Sequence, residues 1–189
     1  MDTEVRAWRV RQRVRLKEER MRLPSAERLL LTDAIARNLD VALDRHRRGT
    51  LGCYWPIQGE FDLRQWAERL RIRKHLTIAL PVVIREHSPL EYWQWQHGDP
   101  MKRGFWGIMV PKRNSSVIPD VIIAPLVGFN GFFRLGHGGG YFDRTLAAMR
   151  PKPFAIGVGI EASRVEGYVP QPHDMPMDVI VTEAAVYRA

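Results

Sequence analysis

A run of apolar residues that leads into a glycine-rich loop constrains the fold of this chain more than any other feature. Residues 121–127 are apolar or proline and have the pattern of a buried strand, residues 136–140 contain four glycines, and residues 141–149 have the pattern of a helix. Glycine leaves no Cβ between the main chain and a ligand, so such a loop before a helix can direct bare N–H groups at an anion. We interpret it as a phosphate cradle. The alternative is a glycine-rich turn that only reverses the chain.

The loop matches neither of the two common phosphate-binding patterns. No Gly-Lys-Ser/Thr follows it, and its third glycine is misplaced for Gly-x-Gly-x-x-Gly. Charged residues flank it, Arg134 on one side and Asp143 and Arg144 on the other. Such flanks suit a phosphate better than a simple turn.

Size and charge narrow the class of protein. A chain of 189 residues with 45% hydrophobic content can bury one full core, so we predict a single domain over residues 1–189. The apolar runs are too short to cross a bilayer and the first residues are arginine-rich, so we expect a soluble, cytoplasmic protein without a membrane partner. The formal net charge of +8 indicates an acidic partner, either nucleic acid or a polyanionic small molecule.

The first residues predict a strongly basic helix over 3–22, which Pro24 ends. Its basic residues are Arg6, Arg9, Arg11, Arg13, Arg15, Lys17, Arg20 and Arg22. A solvated helix face is one interpretation of most of them. The other is that one or two turn inward onto a phosphate, because a guanidinium matches phosphate oxygens bidentately.

A second candidate subsite follows the short strand predicted at residues 50–55. Ligands of open α/β sheets bind beyond the carboxyl ends of the strands, so Glu60 could contact a substrate amine or a pteridine-like set of donors. A loop acid without a ligand is the alternative. Trp55 and Trp106, both in predicted loops, suggest a stacking site for a flat heterocycle, with ordinary core packing as the competing interpretation.

Acidic residues near the glycine loop suggest a metal site. Asp143 follows the loop, and Asp174 and Asp178 lie in a proline-rich loop. Magnesium prefers one or two carboxylates together with phosphate oxygens and water, so one of the latter two could join Asp143 around Mg²⁺.

Taken together, these motifs resemble the 5-formyltetrahydrofolate cyclo-ligase (5,10-methenyltetrahydrofolate synthetase) family. The most specific match is Arg-Leu-Gly-x-Gly-x-Gly-Tyr-x-Asp at residues 134–143. Weaker matches occur in the right order over nearly the whole chain: the basic helix ending in Leu-Pro-Ser, Tyr-Trp-Pro-Ile-x-Gly-Glu ending at Glu60, Gly107-Ile108 with Pro111, Ala124-Pro125 through Phe129, His173-Asp174, and Val181-Thr182-Glu183.

The resemblance implies an α/β fold, a single-domain three-layer open sheet that is mostly parallel with helices on both faces. It implies ATP-dependent cyclisation of 5-formyltetrahydrofolate to 5,10-methenyltetrahydrofolate, with release of ADP and phosphate after phosphoryl activation of the formyl oxygen. ATP, Mg²⁺ and the folate are the implied ligands, and we expect a monomer.

The resemblance also assigns residues of this sequence to each ligand. ATP would be bound by Arg11, Arg15, Arg134, Leu135, Gly136, His137, Gly138, Gly139, Gly140, Tyr141 and Phe142. Trp55, Glu60, Trp106 and Tyr141 would contact the folate, and Asp143 and Asp174 would bind the metal. Arg9 and Arg13 have the same four-residue spacing as Arg11 and Arg15, so the register of that basic pair stays open.

Some positions depart from the family pattern. Val110 stands where the family often has glutamate, Phe142 replaces a common tyrosine, Asn130 a common aspartate, and the spacing from Pro170 to Asp174 is one residue short. A catalytically inactive relative is therefore one alternative function. A basic nucleic-acid-binding protein is another, disfavoured because the chain contains no zinc-finger, RNA-recognition or helix-turn-helix signature.

Overall fold

The computed structural model describes residues 2–46 and 48–189. The α-helices in this part of the chain are α1 (Thr3–Arg22), α2 (Ser25–Ala42), α3 (Arg64–Lys74) and α4 (Tyr141–Ala148). The strands are β1 (Thr50–Gly52), β2 (Thr77–Val82), β3 (Glu91–Gln94), β4 (Met101–Arg103), β5 (Met109–Pro111), β6 (Ser116–Val117), β7 (Val121–Pro125), β8 (Gly128–Asn130), β9 (Phe133–Leu135), β10 (Phe154–Val158), β11 (Val179–Val181) and β12 (Val186–Arg188). Two 3₁₀ turns lie at Phe105–Gly107 and Glu161–Ser163.

Eight of these strands form the central sheet, in the order β12-β11-β10-β7-β1-β2-β3-β6. The five from β11 to β2 pair in parallel. Antiparallel pairs bring in β12 at one edge and β3 and β6 at the other. Two small hairpins, β4-β5 and β8-β9, stand outside this sheet. The predicted open and mostly parallel sheet is confirmed.

The central strands bury both faces, which is why they are continuously apolar in sequence. Successive side chains of a strand point to opposite faces. In β7, Val121 and Ile123 belong to the core formed with α2 and α3, whereas Ile122 and Ala124 belong to the core that includes Leu146 of α4. Helices therefore cover both faces of the sheet, and the predicted three layers are confirmed.

Helix α1 packs against the end of the sheet at which the parallel strands finish. Its Leu16 joins Val127, Leu135 and Val165 in a separate apolar cluster. Its buried Arg20 donates from Nη1 to the carbonyl of Leu126, directly after β7, at 3.2 Å. The helix thereby lies beside the space beyond the carboxyl ends of the strands. None of the described helices is both long and apolar enough to cross a membrane.

Candidate active site

A cleft of about 560 Å³ opens beyond the carboxyl ends of the central strands. It is lined by one face of α1, by the loop that follows β1, by Pro125 at the end of β7, and by the glycine loop with the first turn of α4. Open α/β sheets bind their ligands in this position.

The glycine loop has a backbone conformation that side chains disfavour. Gly138 has φ of 108° and Gly140, the N-cap residue of α4, has φ of 66°. A Cβ on Gly139 would lie only 2.9 Å from ring atoms of Tyr141. The loop therefore presents main chain to the cleft immediately before a helix N-terminus, where the first N–H groups have no partner inside the helix.

An ion pair fastens the two ends of this loop to each other. Arg134 in β9 is buried and donates from Nη2 to Oδ2 of Asp143, in the first turn of α4, at 2.7 Å. Its guanidinium also lies 5.2 Å from the ring centroid of Phe142. Arg134 therefore connects the strand before the loop to the helix after it.

Three basic residues of α1, spaced by four, line the cleft: Arg9, Arg13 and Lys17. Residues four apart lie on one face of a helix. Arg13 donates from Nε to the carbonyl of Gly136 at 2.8 Å, which ties α1 to the glycine loop. Burial lowers the pKa of Arg13, and the neighbouring charge of Arg9 lowers it further.

The basic pair predicted as Arg11 and Arg15 does not face the cleft. Arg15 pairs with Glu19 at 2.9 Å on the outer side of the helix, and Arg11 borders a separate surface depression beside Trp8. A shift of two residues turns a side chain by about 200° around a helix, so the choice of register decides which pair faces inward. The alternative register, Arg9 and Arg13, is the one that lines the cleft.

Leu135 is a third predicted residue that lies outside the cleft. Its side chain is fully buried with Leu16 and Val127. Alternate residues of β9 point to opposite sides, so Arg134 faces the cleft and Leu135 packs into the apolar cluster.

Glu60 is 6% exposed and yet lines the cleft. Its Oε2 accepts a hydrogen bond from the backbone N–H of Ile57 at 2.9 Å, and its Oε1 lies 2.8 Å from Nε2 of His137. His137 belongs to the glycine loop. The acid of one predicted subsite therefore contacts a residue of the other, a contact that the sequence did not indicate.

Aromatic rings surround the mouth of the cleft. Trp106 is 64% exposed, and its ring centroid lies 5.3 Å from that of Tyr141 with the planes at 72°. Trp55 also lines the cleft and is covered on one side by the guanidinium of Arg64, 4.1 Å from the ring centroid. These rings offer faces on which a flat heterocycle can pack.

The carboxylate of Asp174 accepts four hydrogen bonds within the protein. It accepts from both Nη groups of Arg9, from the hydroxyl of Tyr168 and from the N–H of Gln171. Burial raises the pKa of Asp174, but the hydrogen bonds from Arg9 and Gln171 outweigh burial and hold it below its usual value. Three of these donors contact Oδ2 and one contacts Oδ1, so most of the acceptor capacity of Asp174 is used within the protein.

Asp143 has more free acceptor sites for a cation than Asp174 has. It accepts only from Arg134 and, at 3.2 Å, from the N–H of Met175. Within residues 2–46 and 48–189, no three His, Cys, Asp or Glu side chains are grouped so that they could hold a metal ion by themselves. Of the two predicted metal ligands, Asp143 has the greater free acceptor capacity, and phosphate oxygens or water would have to complete the coordination of a cation there.

The remaining predicted residues come together in the one cleft: Trp55, Glu60, Trp106, Arg134, Gly136, His137, Gly138, Gly139, Gly140, Tyr141, Phe142, Asp143 and Asp174. Sequence reasoning missed several apolar lining residues: Ile57, Pro81, Val83, Leu90 and Ile108. Pro81, near the end of β2, carried a usable signal, because strand ends are where ligands bind in this fold.

Comparison with known proteins gives the same family along nearly the whole chain. The model of the 5-formyltetrahydrofolate cyclo-ligase family matches residues 5–183. The 5-formyltetrahydrofolate cyclo-ligase of Escherichia coli K12 is 37% identical over 147 residues, which cover 74% of this chain and 80% of that protein. The Haemophilus influenzae protein of the same name is 29% identical over 149 residues, covering 74% and 79%. The solution structure of Aquifex aeolicus 5,10-methenyltetrahydrofolate synthetase is similar with a TM-score of 0.81 at 27% identity, covering 95% of this chain and 92% of that one.

Proposed function

Because the chain belongs to the 5-formyltetrahydrofolate cyclo-ligase family, we propose that it converts 5-formyltetrahydrofolate to 5,10-methenyltetrahydrofolate in an ATP-dependent cyclisation. One observation in particular supports this function: the glycine loop and the buried acid share a cleft and meet in the 2.8 Å contact between His137 and Glu60. A phosphoryl group can pass from a nucleotide to a folate only if both are held in reacting distance.

The phosphates of ATP would bind at the glycine loop. Main-chain N–H groups of residues 136–140 and the N-terminus of α4 would contact the phosphate oxygens. Arg13, whose Nε is bound to Gly136, would direct its Nη groups at them. Arg9, held by Asp174, would contribute its positive charge.

The folate would bind at Glu60 and the aromatic rings. A pterin ring is flat and carries N–H donors, and each oxygen of Glu60 accepts one contact within the protein and retains one acceptor site. An acceptor site of a buried carboxylate that stays empty is unfavourable, so Glu60 favours a ligand that places N–H donors at these sites. Trp55, Trp106 and Tyr141 would pack against the ring.

The proposed reaction has two steps. The formyl oxygen attacks the γ-phosphorus, the bond from that phosphorus to the β–γ bridging oxygen breaks, and ADP leaves with the electron pair. The N10 nitrogen of the folate then attacks the activated formyl carbon and loses its proton to solvent. The carbon–oxygen bond breaks, and phosphate leaves with its electrons. The residues of this chain would position both reactants and neutralise charge.

We propose that Mg²⁺ accompanies ATP, with Asp143, the freer of the two predicted carboxylates, as its principal protein ligand. The free acceptor capacity of Asp143 supports this choice. A bound cation would neutralise part of the triphosphate charge.

We also propose that residues 1–189 form a single domain that acts as a monomer in the cytoplasm. One continuous sheet carries the cleft, and the elements of a single chain supply its walls. The similar Escherichia coli and Haemophilus influenzae proteins are bacterial cyclo-ligases, and ATP, the proposed co-substrate, is a cytoplasmic metabolite.

Near-ultraviolet absorbance of the methenyl product tests this function. We expect the absorbance to rise when the protein is mixed with 5-formyltetrahydrofolate, Mg²⁺ and ATP, and to stay flat without ATP. Glu60→Gln keeps the shape of the side chain but removes its charge, so it should abolish the rise while ATP still binds. A wild-type sample that binds ATP and the folate but forms no methenyl product would contradict the proposed function.

A further inference from the structure

Lys17 lines the cleft, although neither of the two subsites requires it. It lies on the same face of α1 as Arg9 and Arg13 and follows Arg13 by four residues, or about 6 Å along the helix axis. Arg9 is paired with Asp174 and Arg13 with the carbonyl of Gly136. Lys17 is the member of this row that has no fixed acceptor among the described residues.

The surroundings of Lys17 suit a bound anion. Its side chain is half-buried. Burial lowers the pKa of Lys17, the like charges of Arg20 and Arg13 lower it further, and Glu60 opposes them. A partly buried ammonium beside two guanidinium groups is unfavourable until an acceptor arrives.

The position of Lys17 falls between the two subsites. On one side, Arg13 touches the glycine loop at Gly136, 2.8 Å away. On the other, Arg20 donates at 3.2 Å to the carbonyl of Gln58, in the loop that holds Glu60. Lys17 therefore lies on α1 between the residue that contacts the glycine loop and the residue that contacts the Glu60 loop, near the route of a phosphoryl group from ATP to the folate.

We propose that Lys17 is a catalytic residue that binds the phosphoryl group during its transfer; this rests on the proposed function. Its ammonium would contact the γ-phosphoryl oxygens while the bond to the bridging oxygen breaks and the bond to the formyl oxygen forms. It would stay with the phosphate until the carbon–oxygen bond breaks and phosphate leaves. A compact ammonium on a flexible stem can follow a moving group, whereas a guanidinium presents a rigid fork.

The test separates turnover from binding. Lys17→Met keeps much of the side-chain volume and should lower kcat at saturating substrates by about 10²–10³-fold, the usual effect of removing one donor to a transition state. The dissociation constant of 5-formyltetrahydrofolate, measured without ATP, should not change. Arg6→Met removes one charge from an exposed position of the same helix and should leave kcat unchanged.

Chemical rescue tests for the ammonium itself. Lys17→Cys followed by 2-bromoethylamine restores a side chain of nearly the same length with a terminal amine, and kcat should return. The reagent should select the introduced thiol, because the native Cys53 is buried and burial raises its pKa to about 12.

Three results would overturn the role of Lys17: a kcat for Lys17→Met within about twofold of wild type, a loss confined to folate or ATP affinity, or a failed rescue in a folded variant that binds both ligands. A different result would contradict the proposed function itself: a wild-type protein that binds both substrates but forms no methenyl product.

Discussion

Glu60 is a carboxylate that the fold buries almost completely and still presents to a ligand. The N–H of Ile57 and the ring of His137 fix its two oxygens. Because His137 belongs to the glycine loop, any ligand that orders this loop also orders the acid. This contact links two subsites that are 77 residues apart in sequence.

His137→Ala should uncouple the binding of the two substrates. In the wild type, we expect a non-hydrolysable ATP analogue to tighten the binding of 5-formyltetrahydrofolate by a factor of about 5–150, the usual range of coupling between sites. In His137→Ala the factor should fall towards one, whereas His137→Gln, which can still donate to Glu60, should keep part of it. Calorimetric titration with and without the analogue measures the factor, and an unchanged factor in His137→Ala would rule out this role.

Val110 shows that a departure from the family pattern need not affect the cleft. It stands where the family often has glutamate, but it is buried in a small cluster with Val82 and Trp93. The shortened loop after Pro170 likewise leaves Asp174 at the cleft, bound to Arg9. These features, which motivated the alternative of an inactive relative, remove no group that the proposed reaction uses.

The elements differ in how far the sequence specifies them. Helix α1 has the predicted bounds, because Pro24 stops it, but its buried residues are Arg9, Leu16 and Arg20 and not a purely apolar stripe. The β8-β9 hairpin was not predicted, since its three-residue strands are too short to show a period of two. The direction in which a basic side chain of α1 points depends on tertiary packing, so spacing alone left two registers open.

The cleft itself was predictable to the extent that its residues lie in local motifs. Glu60 follows the recognisable strand β1, and the glycine loop follows the recognisable strand β7 after the unpredicted β8-β9 hairpin; the fold brings the ends of β1 and β7 together. Lys17 and the contact between His137 and Glu60 are products of packing between elements distant in sequence. No local pattern specifies them.

Gly139→Val tests whether the glycine loop binds phosphates or only turns the chain. The new Cβ would start 2.9 Å from the Tyr141 ring and would branch into a loop that presents its main chain. We expect ATP affinity to fall at least about tenfold, or 1.4 kcal/mol, with folate affinity in the absence of ATP retained. Circular dichroism checks that the variant is folded, and unchanged ATP affinity in a folded variant would make the loop a turn only.

At the scale of the whole molecule, one buried ion pair joins the beginning of the chain to its last third. Arg9 in α1 and Asp174 in the loop before β11 are 165 residues apart, and their side chains are 5% and 8% exposed. Removing one partner of a buried pair leaves an uncompensated charge, which is strongly destabilising.

Asp174→Asn should lower the free energy of unfolding by about 3–5 kcal/mol near neutral pH. Because the folded protein holds the pKa of Asp174 below its usual value, this stability is present above about pH 3.9 and is lost as pH falls through the folded pKa. Urea unfolding at neutral and acidic pH should therefore show the two proteins converging in acid. Asp62→Asn, which removes the charge of a more exposed pair with Arg64, should cost about 1 kcal/mol or less. Equal losses of unfolding free energy in Asp174→Asn and Asp62→Asn would show that the buried pair contributes no more than the exposed one.

The net charge of +8 gives a further prediction for the whole molecule. Part of the basic surface is turned into the cleft, and other arginines are paired, such as Arg15 with Glu19 and Arg71 with Glu68. We expect duplex DNA to bind no more tightly than the non-specific range of about 10⁻⁴–10⁻⁶ M at physiological salt. A filter-binding titration that gives much tighter, salt-sensitive affinity would favour the nucleic-acid alternative.

The fate of the formyl oxygen tests the account most directly. If the cleft activates the formyl group by phosphoryl transfer, that oxygen must leave the folate as part of the released phosphate. We would label the formyl oxygen of 5-formyltetrahydrofolate with ¹⁸O, allow turnover with unlabelled ATP, and determine the mass of the inorganic phosphate. Phosphoryl transfer to the formyl oxygen predicts one ¹⁸O atom in each phosphate released with methenyl product. Methenyl product accompanied by unlabelled phosphate, with the label in water, would contradict it.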